Sequence, residues 1–279
     1  MACSIMRRHS DVGFENFHII MLIPHPYPVP VHAVVAHGHL AIPDLAWVAP
    51  APPLALANLT TIRGMFTLLM NQGYAPTLAH YLPHVGAAVG LTPADIISLE
   101  NSILVDIGAV IAGGPPYNSV NLTHIAIGIQ LWGGITGRSP FVRGGGFLIN
   151  FPINIYSHIV DLIVSHPPAD PVVGNWHAIV ALRHHFHGLG VSFLTKHLSF
   201  WSRMSPHAIK FPILDRVIKN NFIHPHIPPK WSDYPDYLAE FNADLALLRA
   251  RPGLAMISIH SIERQLFNFS LIGAPGWVR

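Results

Sequence analysis

The chain has 279 residues and a formal net charge of +2; charged residues make up 11% and apolar residues 51%, with 20 His and 26 Pro. Globular proteins typically carry about 25% charge, so this composition is unusual, and its length suits one large domain or two lobes. The single cysteine, Cys3, excludes an intrachain disulfide and a four-cysteine iron–sulfur cluster. Mean hydropathy is positive. No segment, however, offers the ~18–20 uninterrupted apolar residues of a spanning helix, since Ile103–Ala112 and Ile125–Trp132 are short and bounded by Asp, Gly, Pro or His. In chain order, Met1–Ile23 does not read as a secretory signal, because Asp11 and Glu15 separate Arg7 and Arg8 from the apolar FHIIMLI. Residues 24–53, with PHPYPVPVH and VAPAPP, read as extended or loop. Leu54–Asn71 has helical spacing. The strongest helix runs through LTPADIISLENSILVDIGAVIAGG. There Thr92 is an N-cap, Pro93 fills the first position, Asp95 suits the positive end of the dipole and Gly113-Gly114 ends the element. Ile96, Leu99, Ile103, Ile107, Val110 and Ile111 form its apolar stripe. Helices are also predicted at Leu122–Leu131, Ile153–Ser165, Trp176–His187, Ser192–Trp201, Leu214–Asn221, Tyr234–Arg249 and Met256–Phe269. Strand alternation is weak, confined to VVAHGHLAI and GGGFLINF. The expectation is an all-α protein divided into a Pro/His-rich segment with a helical lobe (1–115) and a second helical domain (116–279).

The charge is unevenly spread. From Arg183 to Lys230 there are seven Lys/Arg and one acid, Asp215, a local charge of +6 against −4 elsewhere. Seven His in the same window (184, 185, 187, 197, 207, 224 and 226) add to it below neutral pH. A polyanionic partner and a merely solvated face both fit this pattern. Lysines are few, at 196, 210, 219 and 230, and Lys196 lies in the middle of an apolar helix.

The stretch HGLGVSFLTKHLSFW places Gly188 and Gly190 in a turn between two helices. Backbone N–H groups there, at the positive end of the second helix, suit a phosphate. Lys196 follows on that helix and Asp215 lies nineteen residues further on. With LWGGITGR (131–138), PILDRVI (212–218) and SIERQLF (261–267), this stretch resembles the helix-hairpin-helix DNA glycosylases, in particular the bacterial proteins described as 8-oxoguanine DNA glycosylase-like, over roughly residues 120–270. One departure is visible: the better-known members place the lysine two residues after the second glycine of the hairpin, whereas Lys196 follows Gly190 by six.

The resemblance implies a helix-hairpin-helix glycosylase fold and base-excision repair of an oxidised purine such as 8-oxoguanine, with glycosylase and AP lyase activities. Lys196 would be the Schiff-base nucleophile and Asp215 the catalytic acid. Gly188, Gly190, Ser192, Arg203, Arg216 and Lys219 would contact double-stranded DNA carrying the damaged base. It implies a monomer in the bacterial cytoplasm, associated with the nucleoid and without a membrane. No organic cofactor or structural metal is implied beyond a monovalent cation at the hairpin. A lysine acts as a nucleophile only when neutral, so a side chain that ordinarily titrates near ~10.4 must be lowered by burial or neighbouring cations. The alternative is a non-catalytic DNA-binding or interaction protein on the same scaffold, in which Lys196 snorkels and Asp215 caps a helix. HHFH (184–187), HPH (224–226) and HGH (37–39) raise a metal reading, but they lack an accompanying carboxylate cluster. Arg138 suits a carboxylate such as Asp161 or Asp170, or a phosphate; Trp132 and Trp201 read as core, and Glu263 and Arg264 as inward ion-pair partners of other helices.

Overall fold

A computed structural model describes residues 18–21, 32–35, 54–134, 151–165, 178–186, 189–207, 209–215 and 234–250, and the single positions 255, 258 and 263. Two compact units are present. One is Pro53–Ile213; the other combines Met1–Pro52 with Leu214–Arg279. Apart from one short pair of strands, the described elements are helical, as expected of an all-α chain. The expected boundary near residue 115 falls inside the first unit, between two helices that pack against each other.

The first unit is a helical bundle of α1 (Leu54–Asn71), α2 (Ala75–Tyr81), α3 (Pro93–Gly113), α4 (Ser119–Gly133), α5 (Ile153–Val164), α6 (178–182) and α7 (Val191–Met204). Helix α3 starts as its sequence predicts. The Thr92 side chain accepts from the Asp95 N–H at 3.3 Å, and the Thr92 N–H donates to the Asp95 carboxylate at 2.7 Å, a reciprocal capping box with Pro93 just inside. Ile96, Leu99, Ile103, Ile107 and Val110 are buried, while Ile111, at the stripe's edge, is half-buried. Helix α4 is capped by Asn118, whose side chain accepts from the Val120 and Asn121 N–H groups. Gly114 and Gly134 end the two helices with φ of 68° and 72°, in the left-handed region that favours glycine.

By length and composition α3 is apolar enough to cross a membrane. This corrects the sequence expectation. The earlier criterion required an uninterrupted apolar run, whereas α3 intersperses Asp95, Glu100 and Asp106. Two of these acids, Asp95 and Glu100, are buried within the bundle.

Helix α4 is the centre of the unit. It packs against α1, α2, α3, α5 and α7, and every residue from Ile125 to Trp132 is buried. A helix enclosed on all sides shows no amphipathic stripe, and Ile125–Trp132 accordingly reads as continuous apolar sequence around one polar residue, Gln130. Gly128 gives the closest approach. A Cβ there would lie 2.7 Å from Tyr81 Cε2 and 2.9 Å from its Cζ.

In the second unit, β1 (His18–Met21) and β2 (His32–Val35) pair antiparallel, His18 opposite Val35. Residues 32–35 are extended, as the sequence leads one to expect between 24 and 53; the other residues of that segment lie outside the described residues. Helix α8 (Tyr234–Arg249) buries Tyr234, Tyr237, Leu238, Phe241, Leu245 and Leu248, a stripe of helical spacing. Phe211–Asp215 is not helical, so the helix predicted from Leu214 does not begin there; its remainder, and most of Met256–Phe269, lie outside the described residues.

Gly128→Ala should destabilise the bundle by about 1–3 kcal/mol, because the gain in helix propensity is outweighed by the collision with Tyr81. Urea unfolding of the two proteins measures the difference, and a more stable alanine variant would show that Tyr81 can move aside.

Candidate functional site

The turn between α6 and α7 can be followed in part. Residues 178–182 run into a 3-10 turn at Arg183–His185, the Leu189 N–H donates to the Phe186 carbonyl at 3.0 Å, and Gly190 is the N-cap of α7. Gly190 has an ordinary φ of −70° and is exposed, with nothing within 4 Å of where a Cβ would sit. Its value at this position is therefore open space and not backbone freedom. No side chain caps the first turn of α7, and Ser192 there is half-buried. The Gly190 carbonyl accepts from the Phe193 and Leu194 N–H groups. Gly188, the other glycine of the turn, lies outside the described residues.

Lys196 is half-buried within a run, Phe193–Ser202, whose other members are all buried. Its stem does not merely lie on Leu194, Leu198 and Phe200 with the amine in water. The amine crosses to α4 and donates to the Gly133 carbonyl at 3.1 Å, 4.9 Å from the centre of the Phe193 ring. Gly133 ends α4, so the ammonium occupies the negative end of that helix. The two glycines of the WGG motif have separate tasks. A side chain at Gly134 would run into Thr61, and one at Gly133 would press on the Lys196 stem, 3.2 Å from its Cδ.

Asp215 belongs to the other unit, at the end of the non-helical segment Phe211–Asp215, and is half-buried. Within that unit Tyr237 is fully buried; burial, then the charges of Glu263 and Asp215, push its phenol well above the usual value. Glu263 is buried, and Arg264 lies outside the described residues.

Arg203, expected to touch phosphate, is instead an internal residue. Its guanidinium donates to Glu100 Oε1 on α3 at 3.0 Å, with both side chains under 8% exposed, and lies 4.7 Å over the Phe200 ring. The Trp132 indole donates to the other oxygen of Glu100 at 3.3 Å. The last turn of α7 faces α3, and a buried carboxylate there requires a counter-charge. Lys210 is similarly engaged, donating to the Ser202 and Ser205 carbonyls at 2.8 Å each. Gly188, Arg216, Lys219, Arg138, Asp170, His187 and the His pairs 37/39 and 224/226 lie outside the described residues. His184 and His185 are exposed with their rings 4.2 Å apart. Among the described residues no group of three or more His, Cys, Asp or Glu could hold a metal.

The polar centre of the bundle was not foreseen. His197, counted above among the surface histidines, is completely buried. Its Nε2 meets the Gln130 amide from α4 at 2.7 Å, and its Nδ1 meets the Tyr156 hydroxyl from α5 at 2.8 Å. Tyr156 in turn accepts from the Trp201 indole at 2.7 Å. Burial, and secondarily the positive charge of Lys196, lower His197 to about 3, so the imidazole is neutral at ordinary pH. A neutral imidazole has one donor and one acceptor nitrogen. With Trp201 donating to the Tyr156 oxygen, the Tyr156 O–H is matched by Nδ1 as acceptor. The ring proton then sits on Nε2 and is matched by the Gln130 amide oxygen, which otherwise lacks a partner. That orientation of the amide leaves one buried group unmatched instead of two. The available sequence signal was a histidine and a tyrosine at inward positions of α7 and α5, beside a lone glutamine in a fully apolar helix.

Comparison with known proteins returns nothing similar: no family model, no curated sequence and no solved structure matches the chain.

Two outcomes are expected. Glu100→Ala or Arg203→Ala alone should cost about 3–5 kcal/mol, because each leaves a buried charge uncompensated, whereas Glu100→Leu combined with Arg203→Met should cost far less. Urea unfolding of the three variants beside the native protein decides this; equal losses in singles and double would mean that packing, not charge, is at stake. The second concerns pH. His197 titrates near 6.5 when unfolded and about 3 when folded, so the unfolded state binds the extra proton between these values. Its contribution is complete above pH ~6.5 and is lost as the pH falls toward 3, at roughly 1.4 kcal/mol per pH unit. Stability measured from pH 4 to 6 should fall less steeply in His197→Gln than in the native protein, and equal slopes would contradict a neutral buried imidazole.

Proposed function

We propose that this chain is a helix-hairpin-helix DNA glycosylase that removes an oxidised purine, such as 8-oxoguanine, through a lysine Schiff base. The observation that carries this reading is Lys196. An amine in a half-buried seat, six residues behind an open Gly190 N-terminus, is a cation withheld from bulk solvent close to a surface suited to phosphate. The basic window around it, weaker than its formal +6 because Arg203 is paired internally with Glu100, favours a nucleic-acid partner.

In this reading the damaged base is flipped out of the duplex to reach the chemistry. Lys196 exchanges its bond to the Gly133 carbonyl for approach to the sugar, loses a proton, and attacks C1′ as the base departs with the glycosidic electron pair. The nitrogen–carbon bond so formed becomes an iminium on ring opening. Loss of the C2′ proton then expels the 3′-phosphate and nicks the strand. The resemblance would give an aspartate, Asp215, the task of stabilising the positive charge developing on the sugar.

A second reading is favoured by the same seat. The Lys196 ammonium at the negative end of α4 is also what a purely structural lysine would adopt, in a DNA-binding protein without glycosylase activity.

Borohydride trapping on a duplex with one 8-oxoguanine separates the two. The glycosylase should give a covalent protein–DNA band that is lost in Lys196→Gln. Duplex binding without a band supports the non-catalytic protein, and a band that survives the substitution places the nucleophile elsewhere.

A further inference from the structure

We infer that Gln130, His197 and Tyr156 are positioning residues for the Lys196 amine, holding α7 in the rotation and register on α4 that seat this amine at the Gly133 carbonyl. The inference concerns Lys196 itself; its consequence for catalysis rests on the glycosylase reading.

Lys196 and His197 are consecutive on α7, and consecutive side chains on a helix point about 100° apart. Fixing the direction of one therefore fixes the other. The imidazole is held at both nitrogens, by α4 at 2.7 Å and α5 at 2.8 Å, and Trp201, one turn further along α7, returns to the same Tyr156 oxygen at 2.7 Å. Gln130, Tyr156, His197 and Trp201 are each at most 1% exposed, so water cannot replace a lost partner. Gln130 and Gly133 are three apart on α4 and share a face. The contacts Gln130–His197 and Gly133–Lys196 are thus two adjacent rungs between the same pair of helices. Thr195, the other neighbour of Lys196, turns its hydroxyl back to the Val191 carbonyl and gives α7 no hold on another helix by that bond. Apolar contacts among Leu194, Leu198 and their neighbours bring the helices together but tolerate rotation. Hydrogen bonds do not.

The test uses the four lysines. Reductive methylation with ¹³C-formaldehyde labels Lys196, Lys210, Lys219 and Lys230 together with the N-terminal amine. Lys196→Gln identifies the Lys196 resonance by its absence. In Tyr156→Phe, a nearly isosteric change, and in His197→Leu, the Lys196 signal should move away from its native position. His197→Gln, which can still donate and accept, should restore it. Lys210, held by two carbonyls at the end of the same helix, is the internal control and should stay in place. Trapping on the lesion duplex should fall by about a hundredfold in His197→Leu, the scale expected for a misplacement of about 1 Å, with little change in duplex affinity. A Lys196 resonance that keeps its native position in both variants overturns the inference. So does a shift of Lys196 and Lys210 together, which would signal general loosening. A native protein that traps no DNA overturns the glycosylase reading alone, and the Lys196 resonance still decides the positioning.

Discussion

Exclusion of water from the surroundings of α4 is the constraint on which the bundle depends. Five helices pack on it, and the polar atoms buried there must find partners in protein. Gln130 is answered by His197, His197 by Tyr156, and Tyr156 by Trp201. Glu100, on the flank, is answered by Arg203 and Trp132. Every one of these links except Trp132–Glu100 ends on α7. That helix is tied to α3, α4 and α5 by directional bonds from His197, Trp201 and Arg203, and Lys196, next to the first of them, inherits their precision.

The same accounting changes the meaning of the basic window. Of its seven Lys/Arg, four are described: Arg183, Lys196, Arg203 and Lys210. Arg203 is neutralised by a buried acid, while Lys196 and Lys210 serve carbonyls at the ends of α4 and α7. A local charge of +6 is therefore not a surface of that strength. At least three of the four are engaged within the fold, so a phosphate backbone would meet less positive charge than the formal count suggests. The scarcity of charge along the chain acquires a partial explanation too, since several of the few charged groups have structural posts.

The helix starts were legible because their chemistry is local. Thr92, Pro93 and Asp95 specify a capping box within four residues, and the glycine pairs at 113–114 and 133–134 mark the ends of α3 and α4. The role of the central helix was harder to read, because a helix buried on all sides loses the 3.6-residue contrast that announces a face. Arg203 and His197 were misplaced for one shared reason. Charge counting registers residue type, while their roles depend on Glu100 and Gln130, which lie 103 and 67 positions away in sequence. The lysine on α7 was picked out correctly as the odd residue of an apolar helix. Its partner, a backbone carbonyl, carries no mark in the sequence beyond the glycine that makes room for it.

Energetics distinguish the cations of α7. The Lys196 amine makes a charge-assisted bond to the Gly133 carbonyl at a partly open position, and such a bond contributes about 1.5–3 kcal/mol. A phosphate or a sugar presented at the surface can compete with that. Arg203 shares a buried pair whose rupture costs about 3–5 kcal/mol and leaves Glu100 charged in the interior. Nothing at the surface can compete with that without loosening the bundle. If a cation of α7 acts on a nucleic acid, it is Lys196 and not Arg203, despite the arginine's better fork for phosphate. The seat at Gly133 is then a resting place. It keeps the amine ordered on the helix that begins at Gly190.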